Sequence, residues 1–468
     1  MASISTPEEA EALAAAHTPA QAVGGAWPKP ALAWYAVAIF AVTLMFNELD
    51  KGVISLLVAP IKRDFALTDV QIAWLLGPAV VAFNALVGVP ISRYIDVLNR
   101  RKILTISVAF WAVMTSFCGL ALNFWQLFFA RMGVGIGTIV HGPAVYSMMA
   151  DYFPRERLPR AVAVMQIGYV AGGAISLIAG GMVIAAVSHV SSISLPVVGA
   201  IHSWQLVFII VGVVSLLGAA LMYSVPEPAR RGVQTATAAK PVPLLEVIRY
   251  LFKHWPLFAP MFLALAVSGL ESLGIAVWRP TFFQRTYGWT APEAGRYLGF
   301  TNLICSPIGI VIGWWLAEKL GKTRDDANLR VVAYCYTIGP LFAVAGPLMP
   351  SPWLALACAG VGNLLSLAGA VPQNAALQSV TPHHIRGQVT ALYLFIFTVI
   401  GQGLGPIFMG AITNYIVRDE SLIRYSIAGS AAVMMPLACV IVWWGLKPYG
   451  AAIKAIKARE AQGLVGPE

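Results

Sequence analysis

The sequence predicts an all-α membrane protein of twelve transmembrane helices in two pseudo-symmetric six-helix bundles. Three observations carry this. The chain is 58% hydrophobic and 11% charged, with a mean hydropathy of +0.74, whereas a soluble domain is nearer half apolar and a quarter charged. Its apolar residues form long continuous runs, not the alternating pattern of a membrane barrel. Finally, one segment occurs twice, half a chain apart. Ser92-Arg93-Tyr94-Ile95-Asp96 precedes Arg100, Arg101 and Lys102, and Trp314-Trp315-Leu316-Ala317-Glu318 precedes Lys319 and Lys322. Each copy sets a carboxylate four residues after its opening position, with basic residues beyond.

The offset from Asp96 to Glu318 is 222 residues, and the same 222 carries Thr68 onto Thr290, Gly77 onto Gly299 and Arg63 onto Arg285. A duplicated membrane half implies a pseudo-two-fold axis, with a binding site between the halves. At about 20 apolar residues per span, twelve spans fit, at about 31–60, 70–92, 103–122, 124–150, 161–187, 204–224, 256–283, 293–317, 330–350, 352–378, 389–416 and 422–446.

Basic residues set the expected orientation. Of the 31 Lys and Arg, 22 lie in the tails and the loops after even-numbered spans, and Lys51 and Arg131 lie within spans. Both termini are therefore expected in the cytoplasm, in a plasma (inner) membrane protein. The net charge of +10 reflects this sorting and implies contact with anionic lipid. Nucleic-acid binding is excluded as a reading, because the basic residues are spread over many short loops. Residues 1–30 read as a disordered cytoplasmic tail and lack the basic-then-apolar pattern of a signal peptide. The five cysteines fall within predicted spans without metal or redox spacing.

Residues 31–224 are expected to form the first bundle and 256–447 the second, with 448–468 as a cytoplasmic tail. The linker, 225–255, ends in an amphipathic stretch: Leu244, Leu245, Val247, Ile248, Leu251 and Phe252 alternate at helical spacing with Glu246, Arg249 and Lys253. That pattern suits a helix on the cytoplasmic membrane surface, tethering two moving halves. Glycines crowd the fifth and eleventh spans, where they allow either sliding or static close packing.

The duplicated motif, with Arg131-x-x-x-Gly135-x-Gly137, resembles the major facilitator superfamily. Within it the chain is similar to the spinster-type (sphingolipid and lysolipid transporter-like) bacterial members. That likeness runs through Leu49-Asp50-Lys51, Ala59-Pro60-Ile61-Lys62, Asp151-Tyr152-Phe153-Pro154, Arg386-Gly387-Gln388-Val389-Thr390 and Gly403-Leu404-Gly405-Pro406. The resemblance covers nearly all of 45–415. It implies a major facilitator fold around a central cavity, working by alternating access, and carriers that are proton-coupled or facilitative. Some members move sphingoid or lysophospholipid molecules. It also implies a latch role for Arg93, Asp96, Arg100 and Arg101, mirrored by Glu318 and Lys319, favouring the state closed to the cytoplasm. This chain departs from the family in reading Asp50-Lys51 for Asp-Arg, and Gly137-Thr138-Ile139 where an acid is frequent.

Charge within a bilayer is costly unless paired or hydrated, so intramembrane ionisable groups are functional candidates. Glu48 and Lys51 share a helix face and can pair, while Asp50 lies about 160° from Glu48. Asp50 is then the candidate for a cavity-facing protonatable group; its alternative is a structural pair with Lys51 or Arg131. Arg131, Thr138 and His141 make a polar stripe on the fourth span. His141 either titrates in place of the missing acid or is a neutral packing residue. Glu271, near the repeat position of Asp50, is a proton site, a substrate contact or structural. Trp74, Asn84, Trp278, Asn302, Gln373, Asn374 and Gln402 are further polar or aromatic cavity candidates.

The leading functional expectation is a secondary active transporter of an organic, amphipathic or lipid-like solute, with protons as the expected coupling ion. Its alternative is a facilitative or proton-coupled carrier of small organic, aromatic acids, with Arg131 and Lys51 as anion partners. A membrane-embedded enzyme or sensor is the competing class. The chain holds no His-Glu-x-x-His, Gly-x-Ser-x-Gly or Gly-x4-Gly-Lys-Ser/Thr pattern, so no enzyme, catalytic residue, metal or cofactor is expected. Membrane lipids are expected partners of a monomer.

Overall fold

Side-chain caps mark where several helices begin. Asn99 accepts the backbone N–H of Lys102 and Asn123 that of Gln126, meeting donors that a helix start leaves unpaired. Thr68 with Gln71, and Thr290 with Glu293, form two capping boxes. These boxes sit 222 residues apart, so the internal repeat survives as local geometry.

A computed structural model describes residues 27–81, 98–154, 156–189, 192–195, 199–230 and 242–462. The first half contains α1 (Pro30–Leu56), α2 (Val58–Phe65), α3 (Asp69–Leu76), α4 (Arg100–Cys118), α5 (Phe124–Ile139), α6 (His141–Tyr152), α7 (Leu158–Val187) and α8 (Ser203–Ser224). A short antiparallel hairpin, β1 (Ser192–Leu195) and β2 (Gly199–His202), connects α7 to α8, pairing Ser192 with His202. After the linker helix α9 (Leu244–Lys253) come α10 (Trp255–Tyr287), α11 (Ala291–Gly321), α12 (Ala327–Leu348), α13 (Pro352–Val380), α14 (Arg386–Ile396), α15 (Gly405–Ala411) and α16 (Ile423–Ala461).

Among the described residues, ten helices are long and apolar enough to cross a membrane, with Arg386–Val417 counted as one. Of the two other expected spans, one begins as the shorter apolar helix Asp69–Val81. The other is α5 and α6 in series, broken at Val140. Pro143 explains the break, since it offers no N–H to the Ile139 carbonyl. A second irregularity precedes Pro406. The eleventh span shifts to π-helix over Phe397–Leu404, where Pro406 cannot donate to the Gln402 carbonyl, and again over Ile412–Val417. One boundary differs from expectation: α16 continues to Ala461, into the segment read as a tail, on the strength of good helix formers such as Ala and Lys.

The repeat also governs packing. In the first half α1 packs on α7 and α4 on α8. Their counterparts repeat this, α10 packing on the eleventh span and α12 on α16. Between the halves, α7 meets α11 and α3 meets α15, again a symmetric pair of contacts.

These inter-half contacts lie at one end, the far face, opposite the linker. There a single apolar cluster runs from Leu57, Leu67 and Ile72 of the first half into Trp278, Phe282, Leu298 and Met409 of the second. Nearer the linker the second half has its own cluster, around Val247, Phe258, Val332, Tyr393 and Tyr449. The seam requires small residues. A Cβ at Gly295 would stand 2.5 Å from the Leu177 carbonyl oxygen, and one at Gly77 2.6 Å from that of Gly403.

Gly295→Leu is therefore expected to prise the far face apart. Overpacking of this kind costs about 1–3 kcal/mol, enough to change a conformer ratio roughly five- to 150-fold. Spin labels at the exposed Arg63 and Asp419 should report a longer distance population; an unchanged distribution would mean that the seam tolerates bulk.

Candidate functional site

The far face is held by a ring of four charges. Asp69, fully buried at the start of α3, accepts two hydrogen bonds from the Arg285 guanidinium, at 2.7 Å (Nη1 to Oδ2) and 2.8 Å (Nη2 to Oδ1). Lys62 Nζ adds a third at 2.6 Å. Glu420 closes the ring by pairing with Lys62 and lying 3.7 Å from Arg285. Gln284 also reaches across, donating to the Leu56 carbonyl at 3.3 Å. A bidentate guanidinium–carboxylate pair is both strong and directional, so this ring ties the two halves in one register.

Behind this closed face lies a cavity of about 450 Å³, walled mainly by α10, α12, α13 and the eleventh span. Leu265, Ile275, Phe282, Phe342, Leu394 and Phe397 supply apolar wall, and Tyr169 on α7 contributes from the first half. Two ionic groups face it from α10, Glu271 and Arg279. Glu271 is 1% exposed and its Oε1 has no hydrogen-bond partner. Arg279 makes no ion pair within salt-bridge distance among the described residues, though Glu271 on the same helix is close enough to act on it electrostatically. Neutral polar groups line the rest. Tyr336 donates to Ser268 at 2.7 Å and reaches Gln373 at 3.4 Å, with Asn374 and Gln402 also on the wall.

The first-half candidates are placed differently. Asp50 is not a lone carboxylate: it is 2% exposed, bonded to Arg131 Nη1 at 2.5 Å and to Thr115 Oγ1 at 3.1 Å. Its face, about 160° from Glu48 on the helix, meets α4 and α5, so it takes the alternative of a structural pair with Arg131. Glu48 and Lys51 pair at 2.6 Å. The polar stripe of the fourth span is interrupted by the break at Val140. Thr138 bonds back to the Gly135 carbonyl, and the buried His141 bonds Thr43 at 2.9 Å with its ring edge-on to Trp111. Asp50 and His141 are thus bonded inside the first half, whereas the part-exposed Glu48–Lys51 pair lies beside Tyr169 of the cavity wall.

The expected latch is likewise local where it is described. Arg93 and Asp96, with Asn84, lie outside the described residues. Arg100 binds Asp151 at 2.5 Å and Glu227 at 2.9 Å, and the Arg101 backbone N–H donates to Glu227 at 2.7 Å. All of these partners belong to the first half or to the linker's start. Glu318 and Lys319 are exposed, and among the described residues they make no ion pair to the first half. Glu318 lines a hollow with Arg324, Arg386 and Asp325. There Lys457 donates to Asp325 at 2.7 Å and holds its carboxyl below the usual range. Of the remaining candidates, Trp74 is exposed on the outer surface, and Asn302 does not line the cavity. Trp278 is a buried packing residue whose indole donates to the Pro406 carbonyl at 3.0 Å.

Two groups escaped the sequence reading. Arg279 lies near the end of the predicted 256–283 span, and α10 continues two turns beyond it to Tyr287. Asp69 stands in the first turn of α3, and its partners Lys62 and Arg285 give it weight. The available signal was Arg285, the repeat mate of Arg63. Arg63 itself is exposed, so the repeat position carries different chemistry in each half.

The model of the Major Facilitator Superfamily matches residues 40–406. The chain belongs to that superfamily. Its members' fold and this architecture make it a multi-pass membrane transporter of the secondary type, not an enzyme. It is 26% identical over 401 residues to an MFS-type efflux pump of Mycolicibacterium smegmatis, covering 83% of this chain and 86% of that one. It is 24% identical over 417 residues to the bovine (Bos taurus) protein spinster homolog 1, covering 82% and 73%. A solved bacterial homolog of the human lysosomal transporter Spinster, inward-facing and unoccupied, superposes with a TM-score of 0.73 at 24% identity. That match covers 92% of this chain and 99% of the other. The superfamily fold expected from the motifs is thereby established.

Two outcomes test the ion pairs. Asp69→Asn leaves Lys62 and Arg285 without their shared carboxylate, and losing one partner of a buried pair costs about 3–5 kcal/mol. The same Arg63–Asp419 label pair should then show far-face opening, and an unmoved distance distribution would remove the ring from the closure. Asp50→Asn should instead lower the apparent melting temperature in detergent by several degrees, through a stranded Arg131. A wild-type melting curve would show that the pair contributes little.

Proposed function

We propose that this protein moves an amphipathic organic solute by alternating access, and that the conformation described is open toward the linker. The observation that carries this reading is the cavity. Its wall is apolar apart from neutral hydrogen-bonding groups and two ionisable groups that make no salt bridge, Glu271 and Arg279. An unpartnered buried charge is unfavourable by several kcal/mol in a protein interior. Such a group is retained where a ligand satisfies it. A solute with a charged head and an apolar body meets both features at once. The likeness to spinster-type members noted from the sequence is in keeping with a lipid-like cargo.

In this reading the linker face is cytoplasmic, in keeping with the distribution of Lys and Arg, and the membrane is the plasma (inner) membrane. Alternating access is the exchange of the far-face ring and glycine seam for a closure at the linker face. Arg93, Asp96, Arg100 and Arg101, with Glu318 and Lys319, act there once the halves approach. Proton coupling runs through Glu271, the carboxylate that lines the cavity, and not through Asp50 or His141, which are bonded inside the first half. The protein works as a monomer with a cavity in each copy.

The test is a thermal-shift screen of the purified protein against single-chain sphingoid bases, lysophospholipids and aromatic acids. A ligand at one hundred times its Kd should stabilise the folded state by about 2.7 kcal/mol. Stabilisation is expected from single-chain amphiphiles, and it should fall at least about tenfold in apparent affinity in Glu271→Gln or Arg279→Gln, one charge-assisted contact being worth about 1.5–3 kcal/mol. Glu271→Gln should also abolish pH-gradient-driven uptake in proteoliposomes while the protein still expresses and inserts. Stabilisation by aromatic acids alone would overturn the amphiphile reading.

A further inference from the structure

Helix α9 carries three chemically distinct sectors, and only one of them is accounted for by the protein. At about 100° per residue, Val247, Tyr250 and Leu251 occupy one sector. It docks on the second half, where Val247 is fully buried and Tyr250 and Leu251 pack beside the same cluster. Gln388 fastens the preceding strand of chain by donating to the Val242 carbonyl at 2.9 Å. The next sector, about 60–160° round the axis, is Leu244, Ile248, Phe252 and Leu245. Three of these are strongly exposed: Leu244 at 58%, Leu245 at 66% and Phe252 at 75%. The third sector holds Arg249, Lys253 and Glu246, all exposed. Arg249 and Lys253 have no ion pair among the described residues.

The surroundings of this apolar sector identify what covers it. The chain breaks at His254, and α10, one of the ten membrane-crossing helices, begins at Trp255. Trp255 is half exposed, and its ring lies 5.9 Å from that of Trp444 near the same end of α16. Exposed tryptophans at the ends of spans mark the headgroup level of a bilayer. Helix α9 is joined to that level by one residue, so its free apolar sector stands at the boundary between headgroups and acyl chains. A helix of three sectors, protein, lipid and water, is what that boundary requires. Arg249 and Lys253 flank the lipid sector on its water side, within reach of headgroups rather than of protein carboxylates.

We infer that α9 is a lipid-docking helix, with Leu244, Leu245, Ile248 and Phe252 set among acyl chains and Arg249 and Lys253 binding the headgroup of an anionic phospholipid. The inference concerns the outer surface of the second half and is independent of what the central cavity carries. Its consequence is mechanical. The linker helix is thereby fixed to the bilayer and to the second half together.

The test uses the unaltered full chain in nanodiscs of phosphatidylcholine containing phosphatidylglycerol, with a photoactivatable diazirine in the acyl chain of one lipid or the other. Peptide mapping after illumination should find adducts on Leu245, Ile248 or Phe252, with phosphatidylglycerol favoured over its bulk fraction. In R249Q/K253Q that preference should fall by about fivefold for each basic residue removed, while adducts from phosphatidylcholine persist. Adducts absent from α9 with both lipids would overturn the proposal, as would illumination that joins two protein copies through this helix. Equal labelling by the two lipids in the unaltered chain would overturn the headgroup assignment. Far-UV circular dichroism and melting of the double variant establish that it is folded, since neither side chain has a partner to lose.

Discussion

The closed far face depends on one carboxylate. Asp69 is removed from water and supplied with three charge-assisted hydrogen bonds, one from Lys62 and two from Arg285. Bringing the halves together buries these charges, and only good geometry offsets their desolvation. The same buried pairing that makes the ring directional makes its net contribution modest, which suits a contact that must break in each cycle. Glycine and alanine positions on α7 and α11 allow the backbones to approach around it, so dispersion and ionic contact act at the same face. Away from this end the second half has its own core cluster, and the cavity is walled mainly by second-half helices with Tyr169 from the first half.

Symmetry of backbone is not symmetry of chemistry. The two halves repeat their helix pairings and even their capping boxes, but their ionic groups have separated into different roles. Asp50 is consumed in a buried pair with Arg131 that braces α1 against α5. Glu271, near the equivalent position, faces the cavity without a partner. Arg63 points into solvent, whereas its counterpart Arg285 holds the ring. The first half is accordingly a braced block, with Arg100 drawing together Asp151 and Glu227 at its other end. The second half carries the cavity and the irregular eleventh span. The π-helical turn before Pro406 faces α10 closely across Gly269 and Gly274.

Much of the architecture was legible in the residues. Membrane class, span number, the duplication and the superfamily followed from hydropathy, the 222-residue offset and the two motif copies, because a bilayer imposes length and composition on each span directly. The amphipathic nature of α9 was legible for the same reason: a helix wheel needs only 3.6-residue periodicity. Glu271 was also found from the sequence, since an acid within a span is conspicuous wherever it points.

What the sequence could not decide was which charges meet. Asp50, His141 and Glu271 look alike as ionisable residues in apolar runs, and helical geometry gives only the direction each faces. Whether that direction meets Arg131, Thr43 or an open cavity is set by helices far away in the chain, α5 and α1 among them. The same limit hid Asp69 and Arg279, whose surroundings are long-range. By itself the sequence determined that this is a duplicated, twelve-span carrier, because local periodicity and the membrane's thickness constrain every segment independently. Only the tertiary structure decided that the ring at Asp69 closes one face and that Glu271 and Arg279 stand unpaired in the cavity, because ion pairing depends on positions that no single segment contains.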